Sequence, residues 1–492
     1  MAASTTPSVG LDDNGLVLAQ IDPRTVRRVH FLGVAGTGMG SFAGMLKTAG
    51  WEVTGSDQNV YPPMSEMLAA WGIPVLMPYR PDNLDSARPD LAVIGNVIRR
   101  VNPEAAEIRA RSLPQMSFPA ALGSFFLGDR HSIVVAGTHG KTTTSALMGH
   151  VLSAAGRDPS FLVGGVTRNY DRNYRVGAGP HFVIEGDEYD TAYFDKGPKF
   201  LHYRPRTAIL TSVEFDHADI YHDLAHYESA FERFVGLLPA DGFLVVSAAY
   251  PNALRIARAC AATVLTYAAT GPADYTAADL AFGSEGARFQ VVARGERLGT
   301  LRVPLGGRHN VENVLGVVAA ARGLGLSFDD IRHGLATFAG VRRRQEVRSE
   351  SAGVTVIDDF AHHPTAVRET IAAVRSRYPG RRLWAVFEPR SNTSRRNIHQ
   401  DAYASALTDA ARVCVKVPEP HDKVPVDEQL DVGILTSALR RAGVAAAADP
   451  TVDGLVETVA RDARSGDVIL VMSNGAFGGF VDRLITALDR QR

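Results

Sequence analysis

Gly137-Thr138-His139-Gly140-Lys141-Thr142-Thr143 carries the sharpest chemistry in the chain. It follows a short apolar run, Ser132 to Ala136, and precedes residues with helical periodicity (Leu147, Val151, Ala155). In that setting, backbone N–H groups of a glycine turn point at phosphate oxygens as a helix begins. Lys141 adds a mobile positive charge for the outer phosphates, and Thr142 or Thr143 offers a hydroxyl to Mg²⁺. The match to GxxxxGK(S/T) is incomplete, because Val135 holds the first glycine position. A glycine turn with a surface lysine is the plainer alternative, and the strand–turn–helix context favours phosphate.

Other chemically dense stretches follow. Glu185-Gly186-Asp187-Glu188-Tyr189-Asp190 comes after the apolar Phe182–Ile184, and carboxylates at a strand end suit Mg²⁺. Glu214 to Asp219 follows the next strand, where His217 suits a second metal or a ligand-orienting role. In His309-Asn310-Val311-Glu312-Asn313 the two Asn share a helix face and can read an adenine edge. A helix cap uses the same residues equally well. Arg342-Arg343-Arg344 suits a solvated linker, or an arginine reaching a γ-phosphate across a cleft. Asp358-Asp359-Phe360-Ala361-His362-His363 gathers two carboxylates and two imidazoles, a density suited to ligand binding. A zinc reading of it fails for want of a Cys or a third nearby ligand.

A second glycine loop, Gly33 to Gly40, resembles a dinucleotide fingerprint, with Asp57 spaced for a ribose contact. Ser41 stands where the third glycine belongs, so the loop indicates a pyrophosphate without naming it. Close helix–strand packing is the alternative.

The elements that must position these groups alternate. Strands are expected at 29–34, 52–55, 91–94, 132–136, 182–184, 208–210, 354–357, 383–387 and 468–472. A helix is expected over 41–49 and an antiparallel insert over 241–305. Alternation of strand and helix indicates parallel, doubly wound α/β sheets, with polar residues just past the strand ends. The 492 residues allow about three domains. The expected division is a loose tail over 1–25, then units 26–128, 129–342 and 343–492.

Net charge is −1, from 52 Lys+Arg against 53 Asp+Glu, so broad binding to nucleic acid or anionic membrane is not expected. Two cysteines rule out a disulfide framework and fit a reducing compartment. The first 25 residues lack a basic start and apolar core, and no apolar run of about 18 residues occurs. A soluble cytoplasmic protein is the expectation.

In order, the phosphate turn, the Glu185 cluster, Asp216-His217, His309-Asn310-x-x-Asn313 and Asp358-Asp359-x-x-His362-His363-Pro364 resemble the Mur ligases, ATP-dependent amide-forming enzymes of peptidoglycan assembly. The resemblance runs from about Val26 to the C-terminus. It implies three α/β domains: a Rossmann-like UDP-sugar domain, a central P-loop ATPase-type domain with a parallel sheet, and a mobile Rossmann-like C-terminal domain that receives the acceptor. It also implies ATP and Mg²⁺ as cofactors.

Carried over residue by residue, Gly137 to Thr143 (Gly137, Thr138, His139, Gly140, Lys141, Thr142, Thr143) hold ATP phosphates. Thr142 and Glu185 hold one Mg²⁺, and His217 a second. Asn310 and Asn313 take adenine, and Arg344 and Asp359 close on the nucleotide. Gly36, Thr37, Gly38, Met39 and Asp57 fall to the UDP-sugar, and Arg390 and Asn392 to the acceptor. Phe231 stands where some relatives carry a carbamoylated lysine, so that modification is not expected.

Two activities of the family are close: addition of L-alanine, or of L-alanyl-γ-D-glutamyl-meso-diaminopimelate, to UDP-N-acetylmuramate. Val60-Tyr61-Pro62-Pro63-Met64-Ser65, Tyr193 to Phe200 and Glu388 to Thr393 resemble the tripeptide-adding members. Ser391 and Ser394 stand where the alanine-adding members carry arginines. The implied mechanism is an acyl phosphate attacked by the tripeptide amine, with His362 as base. A nicotinamide-dependent oxidoreductase and a non-catalytic UDP-sugar sensor are the readings from other classes.

Overall fold

The computed structural model describes residues 21–62, 64–419 and 424–490. Residues 1–20 of the expected tail, and Pro63 of the Val60–Ser65 stretch, lie outside them.

The first sheet contains β1 (Arg28–Leu32), β2 (Glu52–Ser56), β3 (Val75–Leu76), β4 (Leu91–Ile94) and β5 (Gln115–Ser117), all parallel in the order β3-β2-β1-β4-β5. The order reverses beside β1, which opens a crevice where the glycine loop leaves that strand. Two boundaries differ from expectation. β1 stops at Leu32, and the following helix starts at Thr37, not near 41. Gly38 and Gly40 therefore belong to its first turn. A Cβ on Gly40 would stand 2.8 Å from Val34 O, and one on Gly44 2.7 Å from the Trp71 ring. These glycines let the helix lie close to its neighbours, and packing wins over glycine's preference for loops.

The central sheet holds β6 (His131–Ala136), β7 (Ser160–Thr167), β8 (Arg172–Arg175) and β9 (His181–Gly186). A separate hairpin follows, β10 (Asp190–Ala192) with β11 (Asp195–Pro198). The sheet continues through β12 (Thr207–Leu210), β13 (Phe243–Ser247), β14 (Thr263–Ala268), β15 (Tyr275–Gly283), β16 (Gly286–Ala293) and β17 (Glu296–Val303). Its order is β17-β16-β15-β14-β13-β12-β6-β9-β7-β8, with β6 flanked in parallel by β9 and β12. The expected antiparallel insert over 241–305 is corrected in part. β13 and β14 pair in parallel across the Pro251–Ala257 helix, and only β15 to β17 are antiparallel. A crossover helix returns the chain in the same direction, whereas tight turns reverse it.

The third sheet contains β18 (Glu346–Ser351), β19 (Val354–Asp359), β20 (Leu383–Phe387), β21 (Arg412–Lys416), β22 (Ala445–Asp449) and β23 (Val468–Met472), ordered β18-β19-β23-β20-β21-β22. All but β18 run parallel. Every residue of β4, β12, β20 and β23 is buried, as expected of strands covered on both faces.

The sheets are cross-linked. Ser41 Oγ donates to Asn173 Oδ1 at 2.8 Å, and the β10–β11 hairpin is held by Arg109 Nη1 to Tyr193 Oη at 2.7 Å and Ser117 Oγ to Asp195 Oδ2 at 2.6 Å. Toward the third sheet, Thr365 Oγ1 donates to Glu214 Oε1 at 3.2 Å.

Candidate active site

The ends of β1, β6, β9, β12, β19 and β23 converge on one cavity of about 930 Å³, lined by residues from all three sheets' surroundings. Four helices begin on it without a side-chain cap: Thr37–Thr48, Lys141–Ala154, Arg308–Gly323 and Phe480–Asp489. Uncapped first turns leave backbone N–H groups for an anion.

The phosphate turn follows β6. Gly137 and Gly140 have φ of +131° and +79°, the region that favours glycine. A Cβ on Gly137 would clash with Thr211 Oγ1, and one on Gly140 would meet Asn313 Oδ1 at 2.5 Å. Lys141 Nζ donates to Gly137 O at 2.6 Å and to Glu188 Oε2 at 2.8 Å. Burial opposes the Lys141 charge, but Glu188 and Asp187 more than offset it and raise its pKa. Burial pushes Glu188 upward, yet Lys141 and His217 draw it down to about 2.

His217 Nε2 lies 3.2 Å from Glu188 Oε1. Burial lowers the imidazole's pKa, but Asp216 and Glu188 raise it to about 9. His217 is therefore an imidazolium at neutral pH, and must lose that proton before it can ligate a metal. Glu188 emerges here as a central residue that the sequence reading left within its cluster. The signal was present as a second glutamate three positions after Glu185, but only the bend of the chain beyond β9 shows which one meets Lys141.

Glu185 ends β9 and accepts from Gly164 N at 3.0 Å and Ser145 Oγ at 3.4 Å. Burial, with Asp187 nearby, raises its pKa, while Thr142 hydrogen-bonds it. A half-buried carboxylate beside a hydroxyl is an oxygen donor set that fits Mg²⁺. Arg344 Nη2 reaches Thr142 Oγ1 at 2.9 Å. Asp359 is engaged by Gln345 N and Ala361 N at 2.8 and 2.7 Å, and burial raises its pKa.

Asn310 and Asn313 are buried on one helix face, as expected. Asn310 Nδ2 donates to Gly306 O at 2.8 Å, and Asn313 Nδ2 to Asn310 Oδ1 at 3.2 Å. Asn313 Oδ1 faces the turn at Gly140, and Tyr250, Tyr267 and Glu312 also line the cavity. Burial lowers the pKa of His362, which favours its neutral form; its Nε2 is 4.0 Å from Asp216 Oδ2.

One expectation fails at His363. Its neighbours include His139 and Glu214, whose potential ligand atoms lie within 4.8 Å of one another and of His363. The trio comes from three distant segments, which is why spacing could not show it. His139 Nε2 is already hydrogen-bonded to Glu214 Oε2 at 2.8 Å.

Of the first sheet's residues, Thr37 and Gly38 line the cavity, while Gly36, Met39 and Asp57 do not. The Asp57 carboxylate accepts from Ala35 N at 2.9 Å and Gln58 N at 2.7 Å, tying the glycine loop to the end of β2. Arg390 lines the cavity beside Gly475, whereas Asn392 does not and donates to Asp219 Oδ2 at 2.7 Å. Ser391 Oγ and Ser394 Oγ hydrogen-bond each other at 2.9 Å.

Three family descriptions match the chain: "Mur ligase family, catalytic domain" over residues 28–130, "Mur ligase middle domain" over 135–321, and "Mur ligase, glutamate ligase domain" over 343–475. The UDP-N-acetylmuramate–L-alanyl-γ-D-glutamyl-meso-2,6-diaminoheptandioate ligase of Escherichia coli K12 is 40% identical, covering 94% of this chain and 99% of its own. A murein peptide ligase structure from Psychrobacter arcticus is 34% identical with a TM-score of 0.71, covering 94% and 98%. A UDP-N-acetylmuramate–alanine ligase structure from Thermotoga maritima has a TM-score of 0.78 at 25% identity, covering 95% and 100%. With three consecutive matches and this relative spanning nearly its whole length, the chain belongs to the Mur ligase family.

Proposed function

We propose that this chain is an ATP-dependent, ADP-forming ligase that joins L-alanyl-γ-D-glutamyl-meso-diaminopimelate to UDP-N-acetylmuramate in the cytoplasm, in peptidoglycan recycling. The carrying observation is the phosphate turn with Lys141, opening on a cavity that residues of the first and third units also line. The Escherichia coli relative bears this substrate pair in its name. No described helix is long and apolar enough to cross a membrane.

In this reading the units are 26–128, 129–342 and 343–492. Thr37 and Gly38 hold the nucleotide sugar, with Asp57 bracing their loop. The turn 137–143 holds the triphosphate, Asn310 and Asn313 flank adenine, and Arg344 and Asp359 close over it. Thr142 and Glu185 hold Mg²⁺, which offsets repulsion between phosphate and carboxylate when bound. His217, once deprotonated, holds a second ion.

The chemistry follows from charge. A carboxylate has no adequate leaving group until it is phosphorylated, and that step brings two anions together. Lys141, freed from Glu188, offsets the repulsion at the γ-phosphate, and positioning supplies much of the rest. His362, neutral and half-buried, takes the proton of the attacking amine. Arg390 faces the acceptor, with Asn392 ordering its loop. The third unit excludes water from the acyl phosphate.

The test is phosphate release from ATP dependent on both UDP-N-acetylmuramate and the tripeptide. Release with L-alanine and none with tripeptide overturns the acceptor assignment. Ser391 and Ser394, bonded to each other where the alanine-adding members carry arginines, support the tripeptide.

A further inference from the structure

We propose that Lys199 receives the carboxylate of the nucleotide sugar before it is phosphorylated, an inference that rests on the reading above. Lys199 is only 9% exposed, yet it lines the cavity. Its Nζ donates to Asp187 Oδ2 at 3.1 Å and lies 4.0 Å from the centre of the Tyr189 ring and 5.6 Å from that of Phe118. An ammonium carries three donors, and Asp187 engages one of them. The aromatic faces stabilise the cation without consuming the others, leaving donors for an incoming oxygen.

The position selects the ligand. Phe118 belongs to the first unit, and Lys199 ends the segment that the first unit grips through Arg109–Tyr193 and Ser117–Asp195. Asp187 and Tyr189 belong to the loop after β9, next to Glu188 and Lys141. Lys199 therefore stands between the unit assigned to the nucleotide sugar and the phosphate turn. An anion carried from one to the other passes this ammonium. The acceptor is assigned to the third unit, whereas the groups around the ammonium, Asp187, Tyr189 and Phe118, belong to the first and central units. Asp187 holds the ammonium in place, so the carboxylate meets a fixed donor and not a flexible surface lysine.

The test compares the full-length protein with Lys199→Met, which keeps an apolar stem against Phe118 and Tyr189, and with Lys199→Arg. Calorimetric affinities are measured for UDP-N-acetylmuramate and for UDP-N-acetylglucosamine, which lacks the carboxylate. The wild type is expected to prefer the muramate by roughly tenfold or more, as a charge-assisted hydrogen bond allows. Lys199→Met brings the ratio near one by weakening only the muramate, and Lys199→Arg restores part of it. KM for ATP is unchanged in both.

A ratio retained in Lys199→Met overturns the inference. So does a rise in tripeptide KM with the ratio intact, which places the lysine on the acceptor. If Lys199→Met loses both sugars or its folded circular dichroism, Lys199→Arg decides: a muramate-to-glucosamine ratio near one overturns the proposal. Failure of the wild type to bind either UDP-sugar is a different result and refutes the functional reading itself.

Discussion

Lys141 pairs with the buried Glu188 in the wall of the cavity, and removing one partner strands the other. Lys141→Ala is expected to abolish ligation, with phosphate release down by roughly a thousandfold, while UDP-N-acetylmuramate binding by calorimetry persists. Activity that survives this change refutes the assignment of the phosphate turn. Glu312 gives a second prediction. Burial raises its pKa to about 7, although Ala269 N donates to it at 2.6 Å. Its folded pKa lies above the unfolded one, so its contribution to stability is full below about pH 4.5 and is lost as pH rises through about 7. Glu312→Gln keeps an acceptor for Ala269 and removes that loss. Urea unfolding at pH 5 and pH 8 should show the wild type falling behind the variant by about 2–3 kcal/mol across that interval.

At the scale of elements, the glycines divide by what they face. Gly140 has a left-handed backbone and sits against Asn313. Gly140→Ala should raise KM for ATP by about tenfold or more while the melting temperature falls by only a few degrees. Glycines in the Thr37–Thr48 helix instead make room for neighbours, and a local reading takes them for a loop. Strands were the most legible elements: 91–94, 383–387 and 468–472 match β4, β20 and β23, because unbroken apolar runs leave little choice of boundary. β9 and β19 run on through Glu185–Gly186 and Asp358–Asp359, since their charged residues are still paired in the sheet. The motifs along the chain were legible for the same local reason. Contacts between segments were not: nothing in their spacing joins His363 to His139, or Glu188 to His217.

The whole molecule is organised around a cavity that none of its units encloses alone. Arg344 reaches back from the start of the third unit to Thr142, and Thr365 and Asn392 reach Glu214 and Asp219. In the proposed function, these contacts would let the third unit keep water from an activated carboxyl group. Arg344→Ala is therefore expected to raise KM for ATP several-fold and to uncouple hydrolysis from ligation. Phosphate and ligated product, counted in one reaction, should depart from a ratio of one in favour of phosphate. A ratio that stays at one removes Arg344 from that task.

The lysine of the phosphate turn rests on the turn's own carbonyl and on an internal carboxylate. With the triphosphate at this turn, as proposed, an arriving nucleotide would have to compete with an anion that never leaves the protein, so entry would be weaker than a bare cation would make it. On that reading departure would be correspondingly easier, because once the γ-phosphate is gone the ammonium has a waiting partner in Glu188. The same pairing that would temper affinity would thus free the site for its next turnover.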